Sequence, residues 1–434
     1  MVGTAFADDS SVTLYGTLDA SVANIQHSYT FDPNMVSEAN PLIVHATQSA
    51  TGMFSGGLTP SKWGIKGQED MGGGVKGIFL LESAINIGTG TLSNAAEALT
   101  HSGAEGPNAA ADSAINGQLF SRGAYVGISS SDYGQLTLGR HPTFFLDDIG
   151  QTDPMLGSYA FSPIGYSGAY GGGGLTDDSR VDNSLKYKVG FGDFTLGLLY
   201  KFGGVSGSSS AQGAYQVNGS YVSGPLGVYL GYQQFKDAFS ISGSTVGTLS
   251  ATAADTKAFL LAAKYTFDAT KTTIRGGYER EEFNNPSNPG TAAQVGPPAV
   301  AATGDQAVNS LFGYTVTSVG VASYASQKNI NVLWIGGTQE ITSAFSVSAA
   351  WYRASQNSWT AGATGSEYCG DASGKHNTLC SGATNYYSLV LDYRFSKRTD
   401  AYVGIMKDTA SGGMATGYTD PSNRITAIGL RHSF

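Results

Sequence analysis

Residues 10–24 read SSVTLYGTLDASVAN. The even positions Val12, Leu14, Gly16, Leu18, Ala20 and Val22 are apolar or small, and the odd positions Ser11, Thr13, Thr17, Asp19 and Ser21 are polar. Period two describes a strand with one oily and one wet face. The same alternation runs through residues 423–434, NRITAIGLRHSF. There His432, Leu430, Ile428 and Thr426 share one side and Arg431, Gly429 and Ala427 the other. Polar tails are usual at chain ends; a run that alternates up to Phe434 is instead part of a wall.

Charged residues make up 13% of the 434, about half the share usual in a soluble chain, while 60 glycines, 24 tyrosines and 20 phenylalanines accompany an ordinary 41% apolar fraction. No change of composition divides the chain, which favours one unit. The best apolar runs, GIFLL (77–81) and AFLLAAKY (258–265), fall far short of the ~18–20 residues a spanning helix needs. If the chain crosses a membrane, a closed barrel is the remaining solution, because hydrocarbon offers no partner to an open sheet edge.

Strand signals fill the sequence in pairs. Residues 62–70 and 75–87 flank MGGG, 122–130 and 135–140 flank SDYG, 180–189 and 194–202 flank GFGD, and 214–222 and 227–235 flank SGPL. Residues 257–267 and 272–280, 329–339 and 345–353, and 386–395 and 400–406 continue the rhythm across DATK, EITSA and SKRT. With the first and last strands this predicts an all-β antiparallel transmembrane barrel of about sixteen strands, Phe434 ending the strand that closes the seam. Longer polar segments, around 25–61, 88–121, 141–179, 236–254 and 284–327, are expected on the opposite rim as loops. Aromatic pairs near strand ends, Tyr200 and Phe202, Tyr265 and Phe267, Tyr393 and Phe395, suit a membrane interface.

Ala5-Phe6-Ala7 has the small-residue pattern of a signal-peptidase site, so residues 1–7 are read as the end of a secretion signal and residues 8–434 as a single barrel domain. Cys369 and Cys380 lie in one polar segment, where a disulfide closing a short loop is expected; the alternative, a metal site with His376, has no standard spacing.

Four stretches, SSVTLYGTLDASV, KWGIKGQEDMGGGVKGIFLLES, RGAYVGISSSDYGQLTLGR and RVDNSLKY, together with the terminal GLRHSF, make the chain similar to the general trimeric porins of Gram-negative outer membranes, of the Burkholderia and Neisseria type. The resemblance covers most of the chain. It implies a sixteen-stranded barrel, a homotrimer in outer-membrane lipid and lipopolysaccharide, and a long third loop (about 141–179) folded into the lumen. It also implies basic wall residues set against acidic loop residues. On the matching positions Lys62, Arg140 and Arg180 would be wall cations, and Asp147, Asp148 and Asp153 the facing carboxylates, with Asp177 and Asp178 near the loop's exit.

Parity supports part of this. Placing Trp63 and Ile65 in lipid turns Lys62 and Lys66 inward, and placing Val181, Leu185, Tyr187 and Val189 outward turns Arg180, Asp182, Lys186 and Lys188 inward. A charge on the lipid face would cost ~2–4 kcal/mol near the midplane. Arg140 shares parity with Leu136 and Leu138, so it requires a bulge or a strand already leaving the wall. Phe144 and Phe145 are read as anchors of the loop.

Opposed charges across a narrow wet gap would orient water and pass ions and small hydrophilic solutes. The net charge of -9 leaves cation or anion preference open. A substrate-specific channel is the alternative; a barrel enzyme or adhesin would need a nucleophile with a base, or a fixed repeat, and neither is found. No cofactor, catalytic residue or nucleic-acid partner is expected.

Overall fold

The computed structural model describes residues 10–31, 45–92, 119–164, 180–203, 210, 213–236, 241–242, 248–249, 255–284, 287, 308–311, 314–316, 326–358, 381–415 and 418–434. Residues 1–9, Asp177 and Asp178, and Cys369, His376 and Cys380 lie outside these.

One antiparallel sheet makes the wall: β1 (Ser11–Phe31), β2 (His45–Ser55), β3 (Lys62–Asp70), β4 (Val75–Ala84), β5 (Gly123–Ser130), β6 (Gly134–Pro142), β7 (Arg180–Phe191), β8 (Phe194–Lys201), β9 (Ala214–Ser223) and β10 (Leu226–Phe235). It continues past β11 (Ile241–Ser242) and β12 (Thr248–Leu249) with β13 (Asp255–Phe267) and β14 (Thr272–Asn284). Beyond β15 (Val308–Leu311) and β16 (Tyr314–Val316) follow β17 (Lys328–Glu340), β18 (Phe345–Gln356), β19 (Gly382–Arg394), β20 (Thr399–Gly412) and β21 (Tyr418–Ser433). β11 with β12 and β15 with β16 form separate two-stranded sheets outside the wall.

The seventeen wall strands occupy sixteen places, because β2 and β3 share one side of β1. The other side of β1 pairs with β21, from Thr17 opposite Ser433 upward, and Phe434 exchanges both backbone bonds with Gly16 at 3.1 Å. The barrel is closed at this seam.

Among the described residues of segment 25–61, expected as loop, most are strand: β1 continues to Phe31 and β2 folds back on it. Cross-strand pairs there join polar residues, Asn24 to Thr51 and Ser28 to Thr47, with side-chain hydrogen bonds of 2.8 and 3.1 Å. With polar groups on both faces the alternation in hydrophobicity vanishes although the backbone still pairs.

Outward residues are the apolar ones. Val12, Leu14 and Val22 on β1 are 72%, 60% and 52% exposed, and Ile428 and Leu430 on β21 are 62% and 52%. The aromatic pairs at strand ends make ring contacts of 4.9 Å (Tyr200 with Phe202), 4.7 Å (Tyr265 with Phe267) and 5.4 Å (Tyr393 with Phe395).

Candidate functional site

After β6, Pro142 ends the ladder and Thr143 caps α1 (Phe144–Thr152), its hydroxyl accepting from Leu146 N at 3.2 Å. Helix and following turns, through Ile164, travel around the inside of the barrel. Phe145 lies on β10 at Gly231, where a Cβ would stand 2.5 Å from the ring. Asp148 accepts from Asn218 Nδ2 on β9 at 2.6 Å, and Thr152 O accepts from Trp334 Nε1 on β17 at 3.0 Å. Phe161 fills the socket at Gly404 on β20, and its carbonyl accepts from Ser388 on β19 at 2.7 Å.

The loop then docks on the break between β2 and β3. Asp19, fully buried, accepts Leu58 N and Thr59 N at 2.8 Å each and the Tyr402 hydroxyl, which fixes residues 56–61 inside the wall. Gly57 O there accepts from Ser158 Oγ at 2.7 Å and from Ala160 N at 3.0 Å.

On the other side stands a charged wall. Glu82 on β4 receives Arg122 Nε at 2.7 Å, the Tyr15 hydroxyl at 2.9 Å and Lys62 Nζ at 3.4 Å. Arg140 Nη1 meets Asp182 Oδ1 at 2.6 Å while its Nε donates to Ser121 O, and Arg180 Nε donates to Arg122 O at 3.2 Å. Lys186 Nζ binds Asp147 Oδ2 at 2.6 Å, above the Phe144 ring. Lys66 lies over the Tyr15 ring, and both Lys66 and Lys188 are exposed.

Arg140 turns inward through a register shift between Gly139 and His141 in the β6–β7 ladder, so Leu138 stays 51% exposed to lipid while Arg140 is buried. The three loop carboxylates separate. Asp147 reaches the gap, paired with Lys186. Asp148 is buried against β9, and burial pushes its carboxyl up to about 7. Asp153 is wholly buried; it accepts Tyr352 OH at 2.6 Å, Met155 N at 3.1 Å and Gly157 N at 2.7 Å, and burial raises its carboxyl as well. These two hold the loop to the wall.

A family model describing Gram-negative porins matches residues 2–413. The chain belongs to the Gram-negative porins. An outer membrane porin protein of Bordetella pertussis is 25% identical over 441 residues, covering 98% of this chain and 95% of its own. Outer membrane porin protein 32 of Delftia acidovorans is 30% identical over 281 residues, 62% of this chain and 64% of its own. Among solved structures, an anion-selective porin from Comamonas acidovorans superposes with a TM-score of 0.59 at 19% identity, covering 98% of this chain and 100% of that one. The trimer form of OmpT from Vibrio cholerae gives 0.53 at 14%, with the same coverage.

The porin is thus an outer-membrane diffusion channel. Sequence reasoning missed Glu82 and Arg122. The parity of β4 carries a signal for Glu82, since Phe79 and Leu81 on the lipid side leave residue 82 inward; Arg122 precedes its strand and obeys no parity.

Proposed function

We propose that this porin is a passive sieve that prefers anions, working as a homotrimer of single barrel units (residues 8–434) in outer-membrane lipid and lipopolysaccharide. The observation that carries the preference is the imbalance of groups around the gap. Seven cations (Lys62, Lys66, Arg122, Arg140, Arg180, Lys186 and Lys188) share the wall and its margin with three carboxylates, Glu82, Asp147 and Asp182. Asp148 and Asp153 stand outside this count, because both are buried and bonded to the wall, Asp148 to Asn218 and Asp153 to Tyr352.

A surplus of positive charge in a narrow passage raises the local anion concentration and repels cations, and its reach is set by salt, about 10 Å at 0.1 M. Fixed charges on both margins hold the water ordered, so apolar solutes are disfavoured and small hydrophilic ones pass. The anion-selective structural neighbour and the trimeric one are consistent with this reading.

The test is the reversal potential of the purified chain in planar bilayers under a KCl gradient. A chloride-favouring sign, with conductance in steps of three, supports the proposal; a potassium-favouring sign overturns the preference, and saturation by one neutral solute would instead favour a substrate-specific channel.

A further inference from the structure

A second group of cations lies across the lumen, beneath the loop. Leu261 and Ile274 are exposed to lipid, so Lys264 on β13 and Arg275 on β14 face inward, and the two are direct cross-strand partners. Like charges so placed repel, yet both heads converge on one residue at the end of α1. Lys264 Nζ donates to Gln151 Oε1 at 2.7 Å and Arg275 Nε to Gln151 O at 3.3 Å.

No carboxylate compensates them through a hydrogen bond or ion pair among the described residues. Asp153 is committed to Tyr352 and two backbone N–H groups. Arg275 Nη1 is buried with no hydrogen-bond partner among the described residues. A guanidinium beside an ammonium, with no carboxylate bound to either among the described residues, is suited to an oxyanion, whose two oxygens would take both.

We propose that Lys264 and Arg275 form an oxyanion-binding station on the loop side of the channel, taking phosphate or a small carboxylate. It rests on the anion preference proposed above and adds to it a second foothold: an oxyanion leaving the Lys62–Arg180 wall meets a further pair of cations before the short-turn exit. Gln151 holds the station and the helix end together, so the station keeps its place as long as the loop is docked.

The full chain in planar bilayers tests this, with inorganic phosphate titrated on the short-turn side and chloride current read. Wild type is expected to show a saturable fall in current. Lys264→Gln/Arg275→Gln should raise the half-blocking phosphate concentration at least tenfold, and Gln151→Ala, which removes the side-chain acceptor of Lys264 but neither charge, should leave it within twofold. No saturable block of wild type overturns the station, as does a Gln151→Ala loss equal to that of the double variant, which would make the pair a structural tether. Should the double variant form no channels, Lys264→Gln alone keeps the Arg275 tether and must raise the half-blocking concentration at least threefold; an unchanged value overturns the proposal. Reversal potentials of the same wild-type membranes report separately on the anion preference.

Discussion

The two halves of the inner wall obey one alternation and fill it with opposite chemistry. From β3 to β7 the inward positions include Lys62, Glu82, Tyr125, Arg140 and Lys186; from β13 to β20, beside the charged Lys264, Arg275, Glu279 and Glu281, they include Leu260, Trp334, Tyr352, Val390 and Met406, nearly all shut off from water. The second half is buried because the third loop lies on it: Phe145, Ile149, Met155, Phe161 and Ile164 pack with these wall residues into one apolar cluster. A lumen wall is polar when it faces water and becomes an ordinary protein core where a loop covers it. The barrel therefore has one half whose charged residues line the wall and one half that holds the loop in place.

Phe161→Ala breaks this contrast most directly. The ring is fully buried, so its removal should destabilise the docked loop by ~3–5 kcal/mol, seen as a lower thermal midpoint in detergent and noisier, larger currents. A midpoint and conductance like wild type would mean that the covered half is not a core. Asp153→Ala comes next. It leaves the Tyr352 hydroxyl and two loop N–H groups without their acceptor, at ~1–3 kcal/mol for a buried group, and should make the loop accessible to protease while the barrel stays folded.

The pH dependence sharpens the comparison from the loop side. The carboxyl of Asp148 is raised to about 7 when docked, so docking favours its protonated form. That contribution is complete below about 4 and is lost as pH rises through about 7. Thermal midpoints measured from pH 4 to 8 should fall across this window, and Asp148→Asn should flatten the curve. The smallest effect on stability belongs to the charged half. Lys186→Gln removes an ion pair whose Asp147 side chain is 46% exposed, so it should cost no more than ~1 kcal/mol, yet move the reversal potential towards zero. A Tm loss comparable to that of Phe161→Ala would show that the charged wall also carries the fold.

Much of this was legible in the chain. Alternation in hydrophobicity identified the sixteen wall places, and the clash of parity between Leu138 and Arg140 located the irregularity at Gly139, but Val181, read as facing lipid, is fully buried in one cluster with Phe144, because the register shift beside it upsets the alternation at the start of β7. Where alternation lacks an oily face it is silent, as at β2, whose side chains pair polar with polar across β1. It is equally silent about the loop. Whether Asp147, Asp148 or Asp153 meets water depends on Lys186, Asn218 and Tyr352, partners 39, 70 and 199 residues away, and no local pattern encodes such distances. The cap at Thr143 was a local signal for α1 that a loop reading passes over.

The seam has a consequence for how the molecule comes into being. Leu18 lies opposite His432 and Val22 opposite Ile428, so these neighbours in space are separated by nearly the whole chain. Hairpins such as that of β13 with β14 can pair as soon as their own residues are present, whereas the β1–β21 pairing carries the greatest loop-closure entropy in the wall. Closure is therefore expected to be the late, slow event of assembly. Until it happens β1 and β21 offer two bare edges to any neighbouring strand, which makes the unclosed sheet the species a cell would need to escort.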